Sequence, residues 1–113
     1  MAEAFARQAT AANRLWLALQ DEDVGAASVL ASQLSAGLRE AEGRWRPVVT
    51  TDALRTLIAA SAIYDRLAEA LYAGRRTPTA ESLLSAWRAN AVRGRDKMAQ
   101  LAGLAKAQVE AGP

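Results

Sequence analysis

The chain has 113 residues, about half of them hydrophobic and a quarter of all residues alanine, which is the size of one domain built around one core. Cysteine and histidine are both absent, so disulfides, Zn sites built on thiolate or imidazole, and Cys–His or Ser–His catalysis are excluded. The net charge of +2 is too small to be a strong argument for nucleic acid, although residues 47–113 hold nine bases against six acids and twelve of the fourteen bases are arginine.

Four runs repeat apolar or small residues at steps of three and four, the spacing of one helix face. Together they predict an all-α fold, a small bundle of about four helices spanning residues 1–113. The first run is Phe5-Ala9-Ala12-Trp16-Leu19, within a helix expected from about Glu3 to Gln20. Asp21-Glu22-Asp23 then marks a break, because Asp21 or Asp23 can cap a following helix and acids there complement its dipole. Leu19 to Val24 is a five-residue step that puts the first two runs out of phase. One kinked helix is the alternative.

The second run is Val24-Ala27-Ala31-Leu34-Leu38-Ala41-Trp45, in a helix expected from Val24 to Arg46. Arg44 and Arg46 favour its C-terminal end, and Pro47 cannot continue it. Val48-Val49 reads as a short extended link, after which Thr50, Thr51 or Asp52 caps a third helix running to about Ala73. Its run is Leu54-Leu57-Ser61-Tyr64-Ala68-Leu71, and Gly74 suits the left-handed position that ends many helices.

Arg75-Arg76-Thr77-Pro78 is the clearest punctuation in the chain. Thr77 as N-cap with Pro78 at the first helical position starts a fourth helix, expected to run to about Val109 with a frayed end at 110–113. So short a connection predicts that helices 3 and 4 form an antiparallel hairpin. The fourth run is Ala80-Leu84-Trp87-Ala91-Gly94-Met98-Leu101-Ala105, and Gly94 and Gly103 inside it point to a bend or close packing.

No constellation of catalytic residues, phosphate loop or dinucleotide fingerprint is present, and the chain reads as a non-enzyme with no cofactor and no metal. The three acids at 21–23 read as a solvated cap rather than a cation site. There is no apolar stretch of signal or membrane-spanning length, which predicts a cytoplasmic protein with no membrane contact.

The three tryptophans all fall on seam positions, where core filling is the default role. The sharper reading places large seam side chains, with Trp45, Leu71 and Trp87 as partner-binding candidates, in a groove for a partner helix. Alanine buries little surface, so the core is expected to be thin and to be completed by self-association or by another protein. On the fourth helix Arg88, Arg95 and Lys106 project within about 20° of one direction, flanking the seam, while Arg93 and Lys97 point elsewhere. A solvated face is the default. The alternative is a small helical subunit of a nucleoprotein complex that holds a phosphate backbone with Arg75, Arg76, Arg88, Arg93 and Arg95.

The segment Leu15-Trp16-Leu17-Ala18-Leu19-Gln20-Asp21-Glu22-Asp23-Val24-Gly25-Ala26-Ala27, continuing into Leu30 to Leu38, resembles the opening of the FlgN/FliT-type flagellar export chaperones. An apolar helix, an acidic turn and a second amphipathic helix come first in that family. The leucine-rich face from Leu54 to Leu71 and the arginine-rich last helix also fit the pattern. The resemblance implies a cytoplasmic helical bundle that binds the amphipathic C-terminal helix of a secreted subunit.

Overall fold

The computed structural model describes residues 1–75 and 80–112. Four helices account for 89% of the described residues, with no strand among them. They are α1 (Ala2–Gln20), α2 (Val24–Trp45), α3 (Thr51–Gly74) and α4 (Glu81–Ala111). Each helix packs on two neighbours, α1 on α2 and α4, α3 on α2 and α4, while the diagonal pairs stay apart. Gln8 lies level with Gly37, Tyr64 with Gly94 and Gly74 with Trp87, so successive helices run antiparallel. The result is an up-down-up-down bundle, 52 Å long and about 20 Å across.

The four seams form the core. Every seam position is buried or half-buried except Ala80, which precedes α4. Phe5, Leu15, Leu19, Leu34, Leu38, Leu57, Tyr64, Leu67, Leu71, Met98 and Leu101 are enclosed, with alanines between them. The large side chains of the seams are thus enclosed within the single chain.

The break between α1 and α2 is real, and the two helices are separate. Asp23 caps α2, its carboxylate accepting from the Ala26 amide at 3.0 Å. The end of α1 is a Schellman turn, with Asp23 N–H donating to the Ala18 carbonyl and Glu22 N–H to that of Leu19. Its left-handed residue is Glu22, φ 58°, where glycine is usual.

Three expectations about the breaks need correction. The Val48-Val49 link is a turn rather than extended chain, because both amides donate back to the Trp45 carbonyl. Gln108 of α4 clamps it, donating to the Val48 carbonyl at 2.7 Å and accepting from the Thr50 amide at 3.1 Å. Thr50 then caps α3 through the Ala53 amide. Gly74 is not a left-handed terminator but the last helical residue, followed by Arg75 in a right-handed conformation. It is needed for room, since a Cβ there would stand 2.8 Å from the edge of the Trp87 indole. Finally, α4 starts at Glu81, with Ala80 extended, and continues past Val109 to Ala111. The Thr77–Pro78 start and Arg76 lie outside the described residues, but the antiparallel packing of α3 and α4 is as expected.

Gly94 shows the close packing its position announced. The Tyr64 ring lies against it, and a Cβ would stand 2.6 Å from the phenol oxygen. Burial pushes the Tyr64 phenol well above its ordinary range, with Arg95 opposing and Asp96 adding to that shift more weakly. Its hydroxyl has no hydrogen-bond partner among the described residues. Gly103 has open space around it.

Candidate functional site

Three arginines of the C-terminal half, Arg75, Arg88 and Arg95, are held by the fold. Arg88 reaches from α4 to the end of α1, where Nε donates to the Leu19 carbonyl at 3.0 Å and Nη2 to that of Gln20 at 3.1 Å. No basic residue stands in the last turn of α1 itself, so Arg88 supplies the positive charge that a helix C-terminus favours. Arg95 lies 4.4 Å over the Trp16 ring of α1, a cation–π contact. Arg75 stacks on Tyr72 at 3.5 Å and donates to the Tyr72 carbonyl. Arg93 is exposed and among the described residues reaches only Asn90, at 3.4 Å. The stripe drawn by Arg88, Arg95 and Lys106 thus follows the border with α1, and these side chains do not converge as a phosphate track would.

The three partner-binding candidates also separate. Leu71 is 0% exposed and Trp87 5%, both held between α3 and α4, so neither offers a surface to a partner. Trp45 keeps part of its ring in solvent, with the Arg44 guanidinium 4.8 Å over it.

Trp45 stands at one end of a groove of about 490 Å³ between α1 and α2. The groove follows from small residues meeting across the seam. On α1 the stripe is Ala4-Gln8-Ala11, and on α2 it is Leu34-Gly37-Ala41-Trp45. Alanine and glycine on facing stripes leave the walls apart, and α1–α2 is the sparsest of the four helix contacts. Gln8 occupies the middle of the floor, where a Cβ on Gly37 would approach its amide nitrogen to 3.0 Å. Its Oε1 is buried without a hydrogen-bond partner among the described residues. Glu3 and Arg7 on α1 and Glu40 and Arg44 on α2 form the rim.

No described group of three or more acidic residues converges as a metal site would require. The groove is a trough with an aromatic end, a mainly small-residue floor and a rim of both charges. Of the groove's lining, Trp45 was a candidate from the sequence, whereas Gln8 and Gly37 were not. The available signal was a polar residue interrupting an alanine stripe, level with a helix-interior glycine that no turn requires.

Comparison with protein-family models, with curated proteins and with solved structures finds no match to this chain. No described helix is long and apolar enough to cross a membrane.

Proposed function

We propose that this chain is a non-enzymatic protein-interaction module whose binding face is the α1–α2 groove. One observation carries the reading: the α1–α2 seam, the sparsest helix contact of the bundle, holds a groove of about 490 Å³ with a half-exposed tryptophan and an unsatisfied buried amide oxygen in it. An unsatisfied buried acceptor costs on the order of 1–3 kcal/mol, which an arriving donor recovers when the Gln8 amide turns to bring its oxygen into the groove. An amphipathic helix is the natural occupant, because its apolar stripe fits between two helices and its flanks meet the charged rim. The resemblance to the flagellar export chaperones supports the same type of occupant, the C-terminal helix of a secreted subunit.

The phosphate-backbone alternative draws less support. It needs several free arginines on one face, whereas Arg88, Arg95 and Arg75 hold the chain's own carbonyls or rings.

The test is capture of partners from the native host on immobilised protein, with and without nuclease, beside a Trp45→Ala variant. The expected result is capture that survives nuclease and moderate salt and is lost with Trp45→Ala. Capture abolished by nuclease, or falling steeply with salt, would replace the groove with the arginines.

A further inference from the structure

We propose that the occupant of the α1–α2 groove is a second copy of this chain, placed by a two-fold axis that crosses α2 near Ala41. This rests on the reading of the groove as the binding face and names what fills it. Each wall carries an acid four residues before a base, Glu3 and Arg7 on α1, Glu40 and Arg44 on α2. That spacing normally closes within a helix, and it does so just outside the groove, where Arg46 and Glu42 meet at 2.6 Å. Neither groove pair closes. Glu3, Arg7 and Glu40 have no ion-pair partner among the described residues, and Arg44 lies on Trp45 instead.

Charges left open in this order match a reversed copy of themselves. Turning a second molecule by 180° about an axis across the helices lays α1 on its own copy and α2 on its own copy, antiparallel. Each glutamate then faces the other molecule's arginine, giving four reciprocal pairs, whereas a parallel alignment sets like against like. A foreign partner would have to carry the complementary order. A second copy does so by symmetry.

The axis is located by three separate pairings. Glu40 and Arg44 exchange about residue 42. Trp45 meets Gly37 of the other copy about residue 41, where Gly37 and the Gln8 amide together line the groove floor. Glu3 and Arg7 exchange about residue 5. Because Gln8 is level with Gly37, that point corresponds to about residue 40 of α2. The three centres agree within about one residue either way, or about 1.5 Å along the helix.

Sedimentation equilibrium on the full chain tests this, with wild type, Glu40→Arg, Arg44→Glu and an equimolar mixture of the two variants. Both positions are exposed, so each variant should keep the helical circular dichroism of the wild type. The expected result is a wild-type dimer, each variant alone weakened at least about tenfold, and recovery in the mixture, where opposite charges again face each other at both contacts. A wild type that stays monomeric at all concentrations, or a mixture no tighter than its components, overturns the second-copy occupant. A further arm follows Trp45 fluorescence, with Trp45→Phe as blank, against a synthetic amphipathic helix carrying two Glu-x-x-x-Arg pairs. A response in monomeric protein removes only the second copy. No response in monomeric protein removes the groove reading with it.

Discussion

Helix α1 meets its two neighbours in opposite ways. Toward α4 its C-terminal half is tied down, with Arg88 satisfying its last carbonyls and Arg95 covering Trp16, while a smaller hollow of about 350 Å³ lies near its start, between Ala2, Glu3 and Ala6 and Ala102, Gly103 and Lys106. Toward α2 it meets small residues, one unsatisfied glutamine and a rim of open charges. The same helix therefore supplies a structural face and an unfinished one. The contrast shows where stability and recognition reside: losses on the closed side should be read in melting curves, and losses on the open side in association.

The tryptophans give the largest expected difference. Trp87 is enclosed against Gly74, and Trp87→Ala should cost about 3–5 kcal/mol of folding stability. Trp45 is half-buried at the groove end, and Trp45→Ala should cost at most about 1–2 kcal/mol while weakening association. Chemical denaturation of both variants checks this. Equal losses would show Trp45 to be ordinary core and would remove the contrast between the seams.

Next comes the tie itself. Arg88→Met keeps much of the aliphatic stem but removes two donors to the end of α1, and a loss of about 2 kcal/mol is expected. Amide exchange should accelerate first in the last turn of α1. Uniform acceleration over the whole bundle would mean that Arg88 is not a local cap.

A smaller effect is expected between α2 and α3, where Asp65 joins the Ser35 hydroxyl and Arg39, the latter at 3.1 Å. Burial pushes the Asp65 carboxyl up, but the Ser35 hydrogen bond and then Arg39 outweigh it, and the net shift is downward. A lowered folded-state pKa contributes stability that is present above the usual carboxylate range and lost as pH falls through the folded value. Asp65→Asn should therefore cost about 1 kcal/mol at neutral pH, and the two proteins should converge in stability in strong acid. A difference that persists unchanged below pH 2 would assign the loss to packing.

The sequence showed the helices and their buried faces well because large seam residues at 3.5-residue spacing have few other ways to be satisfied. Asp23 and Thr50 were readable as caps for the same local reason, their side chains reaching amides three residues on. What stayed hidden depends on chain neighbours far apart in sequence. Arg88 looked like a free surface base because its partners lie 68 and 69 residues away. Gly74 looked like a terminator because nothing local reveals the Trp87 indole beside it. Leu71 and Trp87 met the same criteria as Trp45, and only the packing of α3 on α4 shows which ring keeps a surface. The groove was hidden too, since it arises from what two facing alanine-rich stripes fail to fill.

The smallest expected effect bears most directly on whether the α1–α2 seam is open for a purpose. Gln8→Leu keeps the approximate size of the side chain and removes a buried oxygen that has no partner among the described residues. Relief of that desolvation should raise folding stability by up to about 1 kcal/mol, since replacing an unsatisfied polar group with an apolar one of similar shape is neutral or stabilising. The leucine also makes the floor more apolar, so an occupant recognised by burial alone should bind the variant at least as well. An occupant that hydrogen-bonds the amide should bind it less well. Stability gained together with association lost is therefore the signature of a recognition residue kept at a cost to the fold. Stability lost would instead place Gln8 among the residues that hold α1 to α2, and the seam would then be closed by design as firmly as its opposite.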